Sequence, residues 1–507
     1  MIEPARFLNF WILLHAAALL ADSPFRAAAA RNSTRPNLML ILSDQQRWDF
    51  DGQHFPMRMP NLQRLATEGV TFSHAFCPSP LCAPSRNALA AGREHPEMRP
   101  YYPKNAPLNP NYPIDQLQTF YSALREAGYH TMSSGKDDLM KEKQNRENMM
   151  KNGAAKMKTL GFSDCERTQG KRNTIGTPPQ PRDIYGIYLA SQKGIAVKGK
   201  SVDGFQALQR SYDAPVGSKM SHAYHSYLPD ELYEDNFVGD LTVRLLRRRP
   251  PHKPWFLQVN FPGPHDPFAI TSGMERSVAG RTFGRPTGAS GGAPGTWKDV
   301  DLGRRFYGAE CENLDRILGV LLHEIQDEAS RTVVCYSSDH GEMLGDDGKW
   351  GKQTAAQGSV AVPLVCRGPG IGSGYAVHDP VATLDLSGTF IDYAGASRPR
   401  GMTARSLRPV LEGRTIAPNI RRTVRSALKN WVLHITSVSL DGIDLQAMDA
   451  ADRSALEREA RSGRISFRVL GMNCKRPVPL AADNSLLRVS TLSPGLVKAI
   501  CSDIGRG

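Results

Sequence analysis

Four clusters of polar side chains follow apolar runs of the sequence, and they contain the group types with which proteins bind ions and carry out catalysis. The clusters are Asp44–Gln45, Cys82–Arg86, His265 and Asp339–His340. They bring carboxylate, amide, thiol, guanidinium and imidazole groups. In an open α/β sheet, ligands bind at the edge formed by the carboxyl ends of the strands. We therefore expect these clusters, although far apart in the chain, to converge on one site.

The most specific cluster is the run Cys82–Arg86, which reads C-A-P-S-R and is followed by Gly92. A single match of this kind also fits a turn before a helix. Together with the other clusters it resembles the motif of the formylglycine-dependent sulfatases, a family of the alkaline phosphatase superfamily that includes arylsulfatases and iduronate-sulfatase-like enzymes. The resemblance implies that Cys82 is oxidised to formylglycine, whose hydrated aldehyde is the nucleophile. Because a geminal diol keeps a second hydroxyl, it can expel sulfate after the transfer.

The resemblance also implies a metal site. Its ligands would be Asp44, Gln45, Asp339, His340 and an oxygen of the modified Cys82. An oxygen-rich set suits a hard divalent cation, and the resemblance implies one Ca²⁺ per chain. One histidine ligand leaves magnesium and manganese open as alternatives. Many family members have Asp where Gln45 stands, so this site has one negative charge less. Asp44 read alone also fits a helix N-cap.

Further residues match the family's substrate-binding positions. By resemblance, Lys136 and Lys352 bind the sulfate, and His265 lies near the leaving-group oxygen. Arg86 would lie against the formylglycine and the metal. These cations would neutralise the charge on the transferring sulfuryl group. Asp138 stands where the family usually has the histidine that helps to deprotonate the diol, and a carboxylate can accept that proton instead.

The elements that must position these residues are strands that alternate with helices. The apolar runs that read as strands are LMLIL, VTFSHAF, PWFLQVNF, RTVVCYSS and AVPLVC. Their alternation with helical patterns predicts an α/β fold with a doubly wound, mostly parallel sheet flanked by helices. Residues 141–225 have weak periodicity and are predicted to form loops and short helices. We assign a sulfatase catalytic domain to residues 31–415 and a small, divergent C-terminal α+β subdomain to residues 416–507.

The N-terminus, residues 1–30, has the layout of a secretory signal peptide. One Arg precedes the apolar run FLNFWILLHAAALLA, and small residues follow it. An uncleaved membrane anchor is the alternative, although the run is short for a membrane span. We therefore expect a secreted or periplasmic protein that is soluble after removal of the signal.

Among the eight cysteines, Cys335 and Cys366 lie in apolar runs and are predicted to be buried core thiols.

The charge of the chain is basic. Lys and Arg number 63 and Asp and Glu 50, which gives a formal net charge of +13. Such a surface attracts anionic partners. We expect no nucleic acid among them, because the sequence shows no nucleic-acid-binding motif. The run Arg247–Arg249 is interpreted as a solvated loop.

These observations predict an enzyme that hydrolyses sulfate esters on a sulfated small molecule or glycan, with a sulfated sugar or polysaccharide as the expected substrate. A formylglycine-generating maturation enzyme is the implied protein partner. One alternative is a phosphonate monoester or phosphodiester hydrolase on the same scaffold. Another is an inactive relative that binds sulfated glycans, which the departures at Gln45 and Asp138 favour.

Overall fold

The computed structural model describes residues 35–98, 118–139, 153–176, 179–213, 215–218, 221–287, 296–414, 423–428 and 431–436. The strands are β1 (Asn37–Ser43), β2 (Val70–Phe72), β3 (Ala75–Phe76), β4 (His130–Gly135), β5 (Asp164–Arg167), β6 (Ile195–Val197), β7 (Lys200–Val202), β8 (Ala223–His225), β9 (Trp255–Asn260), β10 (Phe268–Ile270), β11 (Thr332–Ser338), β12 (Ala361–Val362), β13 (Leu364–Arg367), β14 (Tyr375–Val377), β15 (Val381–Ala382), β16 (Thr423–Leu428) and β17 (Trp431–Thr436). The helices are α1 (Pro60–Thr67), α2 (Cys82–Ala91), α3 (His95–Met98), α4 (Phe120–Glu126), α5 (Gly153–Thr159), α6 (Lys171–Ile175), α7 (Ile184–Ser191), α8 (Gly204–Ser211), α9 (Glu234–Arg248), α10 (Ser272–Val278), α11 (Trp297–Glu324), α12 (Gln357–Val360), α13 (Asp385–Ala394) and α14 (Arg408–Leu411).

The central sheet of the described chain has eight strands in the order β14-β2-β13-β11-β1-β9-β4-β5. The strands from β11 to β5 pair in parallel, and β14 pairs in parallel with β2. Strand β13 is antiparallel to both of its neighbours. The predicted mostly parallel sheet is therefore confirmed.

Both faces of the sheet are buried, as strand β1 shows. Alternate side chains of β1 enter different cores: Leu38, Leu40 and Leu42 enter one, and Met39 and Ile41 enter the other. Helices α2, α4 and α13 pack on the first face, and helices α1, α9 and α11 pack on the second. Because a strand covered on both faces needs apolar residues at every position, the continuous apolar run LMLIL correctly predicted the buried strand β1. The doubly wound fold is confirmed.

Two local predictions differ from the structure. The run VTFSHAF does not form one strand: it divides into β2 in the central sheet and β3 in a small sheet with β12 and β15. The weakly periodic region 141–225 contains strands as well as the predicted short helices. Strand β5 extends the central sheet beside β4, and β6 and β7 form a hairpin.

The cysteines at positions 335 and 366 are buried, but the prediction of free thiols is wrong. Cys335 on β11 lies directly opposite Cys366 on the antiparallel strand β13, and the two form a disulfide. An apolar run indicates burial of a cysteine, whereas pairing depends on which strands become neighbours. Free cysteines of the described chain are Cys77, Cys82, Cys165 and Cys311.

The first two residues of the arginine run are exposed to solvent, as the sequence interpretation expected, but they lie in a helix and not in a loop. Arg247 and Arg248 form the last turn of helix α9. Arg247 pairs with Glu324 at 2.8 Å, and Arg248 pairs with Asp164 on strand β5 at 2.8 Å. Arg249 pairs with Glu328 at 2.8 Å. The run therefore joins helix α9 to neighbouring elements.

The two ends of the chain are described only in small part. The predicted signal peptide, residues 1–30, lies outside the described residues. Of the predicted subdomain at 416–507, the structure describes β16 and β17, which pair antiparallel. Among the described helices, none has the length and apolarity to cross a membrane.

Candidate active site

The site lies where four adjacent parallel strands end. Ser43, the last residue of β1, is in register with Ser338, the last residue of β11, so Asp44 and Asp339 leave the sheet side by side. On the other side of β1, strand β9 ends at Asn260 and leads to His265. Strand β4 follows in the sheet and leads to Lys136. The register of the sheet thus brings together the clusters that the sequence separates.

Helix α2 places Cys82 at the same edge. The helix begins at Cys82, and the hydroxyl of Ser85 in its first turn donates to the carbonyl of Asp339 at 2.6 Å. At its other end Gly92 has φ +61, and a Cβ there would lie 2.5 Å from a carbon of Met402. Ser85 and Gly92 therefore have structural roles that fix where Cys82 lies.

A group of four buried residues has the geometry of a cation site. One ligand atom from each of Asp44, Cys82, Asp339 and His340 lies within 4.8 Å of the others. The Cys82 sulfur is 3.2 Å from His340 Nε2 and 3.5 Å from Asp44 Oδ1. His340 Nδ1 is bonded to the carbonyl of Gly341 at 2.9 Å, which leaves Nε2 for a ligand. Two carboxylates and one imidazole nitrogen form a donor set that fits a divalent cation.

Gln45 lies beside this group. Its backbone N–H donates to Asp339 Oδ1 at 2.9 Å. Its side-chain oxygen accepts from Lys352 Nζ, and its amide nitrogen donates to Glu342. A role of Gln45 as a metal ligand stays a prediction. We did not predict Glu342 from the sequence, although it stands two residues after His340 in the same polar segment.

Arg86 is fully buried and joins the strand ends. Its guanidinium donates to Asp339 Oδ2 at 2.8 Å and to Asp44 Oδ2 at 3.3 Å. It also donates to the carbonyl of Lys136 at 2.8 Å and to Asn260 Oδ1 at 3.0 Å. Asn260 was not predicted from the sequence, although a polar residue at the end of an apolar strand indicates such a position.

Cationic groups surround the thiol. Lys352 Nζ lies 3.3 Å and Lys136 Nζ 3.8 Å from the Cys82 sulfur. Burial and the Asp44 carboxylate raise the pKa of Cys82, but Lys136, Lys352 and His340 outweigh them and bring the pKa well below its usual range. The site therefore stabilises negative charge at the position of Cys82.

Asp138 lies on the Lys136 side of the site. Its Oδ2 is 3.4 Å from Lys136 Nζ, and its backbone is left-handed with φ +49. The carboxylate is thus next to one of the predicted sulfate-binding groups. Its role as a base stays a prediction.

His265 is about a quarter exposed at the open side of the site. Its Nδ1 is bonded to the carbonyl of Asp266 at 2.6 Å and lies 3.3 Å from the Asp266 carboxylate. These acceptors hold a proton on Nδ1 and leave Nε2 to exchange one with a substrate. Burial alone would raise the pKa of Asp266. The neighbouring His265 and Lys352 have the larger opposite effect, so the pKa of Asp266 lies below its usual range. Asp266 was also not predicted as a site residue, although it adjoins His265 in the sequence.

The doubly wound sheet thus places two carboxylates, a histidine and a helix-borne cysteine at one edge, the arrangement that the sequence resemblance implied. The family model named Sulfatase matches residues 36–396, which is most of the chain. The chain therefore belongs to the sulfatase family of sulfuric ester hydrolases.

Individual proteins extend this comparison. Arylsulfatase K from Danio rerio is 26% identical over 390 residues, which cover 74% of this chain and 68% of the relative. The solved phosphonate monoester hydrolase from Silicibacter pomeroyi has a TM-score of 0.61 at 20% identity and covers 85% of this chain and 94% of its own. A protein solved in complex with its substrate D-glucosamine-2-N,6-O-disulfate has a TM-score of 0.58 at 17% identity, covering 84% of this chain and 96% of its own. At these identities the two solved structures show the fold.

Proposed function

We propose that this sulfatase hydrolyses sulfate esters of a sulfated sugar, with a formylglycine made from Cys82 and one bound Ca²⁺. The observation that carries the proposal is the position of Cys82. Its sulfur lies within 4 Å of Lys136, Lys352 and His340, beside the carboxylates of the cation site. A reacting anion at this position would be neutralised from several sides.

The cation would be held by Asp44, Asp339, His340 and the oxygen that replaces the Cys82 sulfur. Gln45 is the proposed fifth ligand. A calcium ion bound there would supply positive charge to the sulfate oxygens. Arg86 donates to both carboxylates, so it would keep them in place whether or not the cation is bound.

The residues around Cys82 divide the remaining work. The ammonium groups of Lys136 and Lys352 would bind the sulfate oxygens. His265 would give a proton from Nε2 to the departing alcohol oxygen, and Asp138 would accept one from the formylglycine diol. The diol would supply the nucleophile and, through its second hydroxyl, the release of sulfate.

The proposed maturation follows from the burial of Cys82. Only 6% of its surface is exposed, and helix α2, which begins at Cys82, is packed into the core. A separate formylglycine-generating enzyme would therefore act before the chain folds.

The Cys335–Cys366 disulfide supports a secreted or periplasmic location after removal of residues 1–30, because disulfides persist in oxidising compartments. We propose residues 31–415 as the catalytic domain and 416–507 as a small subdomain.

A sulfated sugar is the proposed substrate class because two observations favour it. The chain has a net charge of +13, which attracts polyanions. One protein of the same fold was solved with a disulfated glucosamine as its substrate. Release of sulfate from sulfated oligosaccharides, measured by ion chromatography, tests this class against simple aryl sulfates.

The first experiment is mass spectrometry of the peptide that contains Cys82, from protein exported by a native host. We expect the lower mass of the aldehyde, and we expect Cys82→Ala to abolish turnover. An unmodified Cys82 would contradict the proposal and favour a relative that only binds sulfated glycans. A Cys82→Ser variant with wild-type turnover would contradict the role of formylglycine.

A second candidate is the hydrolysis of phosphonate monoesters. The solved phosphonate monoester hydrolase shares the fold, and Gln45 gives this site one carboxylate fewer than many sulfatases have. Both substrates present a tetrahedral monoanion. The ratio of kcat/KM for an aryl sulfate and for the matched aryl phosphonate decides between them.

A further inference from the structure

The segment that carries His265 lies between β9 and β10 and is anchored at its start. The backbone N–H of Gly263 donates to the carboxylate of Asp235 on helix α9 at 2.9 Å. The carbonyl of Gly263 accepts from the backbone N–H of Asp44 at 3.0 Å. The start of the segment is thus tied to the loop of the cation site.

The other end of the segment is held by one buried ammonium group. Lys171 Nζ donates to the carbonyl of His265 itself and to the carbonyl of Pro267, the latter at 3.0 Å. The same nitrogen lies 2.9 Å and 2.8 Å from the two carboxylate oxygens of Glu310 on helix α11. Lys171 is 5% exposed and Glu310 is fully buried. The three hydrogens of the ammonium group are therefore committed to the His265 segment and to one carboxylate.

The position of Lys171 is itself closely constrained. Its backbone N–H donates to Glu234 at 2.6 Å, and the hydroxyl of Tyr233 donates to Glu310 at 3.0 Å. A Cβ on the preceding Gly170 would lie 2.8 Å from the Cδ of Lys136. The segment that holds His265 in place therefore also packs against a group of the proposed sulfate site.

We propose that Lys171 is a positioning residue that sets the imidazole of His265 for proton transfer to the leaving group. It acts through the carbonyls of His265 and Pro267, with Glu310 holding the ammonium group. This inference rests on the proposed function, in which His265 protonates the departing oxygen. A residue that only supported the fold would affect all substrates alike, whereas Lys171 will matter most where the leaving group needs a proton.

The test uses Lys171→Met combined with Glu310→Gln, so that no unpaired charge is buried. Turnover is measured over a series of sulfate esters whose alcohols differ in acidity. We expect the variant to slow esters of weakly acidic alcohols about tenfold or more, and by no more than the roughly 10²–10⁴-fold that a general acid contributes in full. Esters of nitrophenols should change little. Lys193→Met, at a lysine side chain that is 70% exposed, is the matched control.

A double-mutant cycle with His265→Ala shows whether Lys171 acts through His265. We expect the Lys171 and Glu310 substitutions to cause no further slowing once His265 is absent. Lys171→Arg, which keeps the charge and changes its geometry, gives the same comparison if the first variant does not fold. Equal slowing of all esters, or additive slowing in the cycle, would overturn the inference and leave the proposed function intact. If the aldehyde-bearing wild-type protein hydrolyses none of the esters, the proposed function and this inference both fail.

Discussion

At the scale of single residues, Arg86 connects the strand ends that form the site. One guanidinium donates to groups at the ends of four different strands: Asp44, Lys136, Asn260 and Asp339. A planar fork with five donors can satisfy these acceptors at once, whereas an ammonium group on a shorter stem cannot. Arg86 therefore holds the carboxylates of the candidate cation site in register with Cys82.

We predict that Arg86→Lys lowers kcat/KM about a hundredfold or more, the scale of losing a preorganised electrostatic contact. Calcium affinity should fall as well, because Asp44 and Asp339 lose a common partner. Activity assays and calcium titration by calorimetry measure the two effects. Arg64→Lys, at an arginine side chain that is 55% exposed on helix α1, is the control. Wild-type calcium affinity in Arg86→Lys would show that the guanidinium does not organise the site.

At the scale of elements, helix α1 is capped by another helix. Its N-cap residue, Met59, makes no side-chain cap. Instead Asp315 on helix α11 accepts from the backbone N–H groups of Asn61 at 3.1 Å and Leu62 at 2.7 Å. A carboxylate at a helix N-terminus satisfies free donors and interacts well with the helix dipole. This contact ties two helices of the same face together.

We predict that Asp315→Ala destabilises the protein by about 1–2 kcal/mol, the usual loss when a helix cap is removed. Urea unfolding followed by circular dichroism measures the change. The kcat should stay near the wild-type value, since Asp315 belongs to helix α11, which packs on the opposite face of the sheet from the helix that carries Cys82. Asp327→Ala, at an exposed aspartate close to the end of the same helix, should leave stability nearly unchanged. Equal stability of the two variants would argue against capping by Asp315.

At the scale of the whole molecule, buried carboxyl groups link stability to pH. Burial, with Asp183 and Asp235 adding to it, raises the pKa of Glu234 to about 8. Burial raises the pKa of Glu310 to about 7, although Lys171 opposes the shift. In an unfolded chain a glutamate has a pKa of about 4.3. Between these values the folded protein holds more protons than the unfolded one, so these groups make the free energy of unfolding fall as pH rises.

We predict that Glu234→Gln, which cannot ionise, gains stability relative to the wild type as pH rises from 5 to 8. The difference between the two unfolding free energies should grow by at most about 1.4 kcal/mol per pH unit, the limit for one group. Urea unfolding at several pH values and one fixed calcium concentration measures it. The exposed Glu231 provides the control Glu231→Gln. A difference that is constant over this range would show that Glu234 does not titrate in it.

The sequence by itself determined the family resemblance, the doubly wound sheet and most of the residues that the structure brings together at the candidate site. These features depend on local patterns: an apolar run followed by polar residues, and the spacing within Cys82–Arg86. Since a buried strand needs apolar residues on both faces, its run is visible without knowledge of its neighbours. The residues at the end of such a run then share one edge of the sheet, as Asp44 and Asp339 do.

Only the tertiary structure decided which distant side chains become partners. Lys171 and Glu310 are 139 residues apart in the chain, and the region around Lys171 has weak periodicity. The Cys335–Cys366 disulfide depended on the antiparallel pairing of β11 with β13, and the ion pairs of Arg247–Arg249 depended on the packing of helix α9. A charged or polar residue carries no local sign of its partner, because the free energy of a buried pair arises only when folding removes both groups from water.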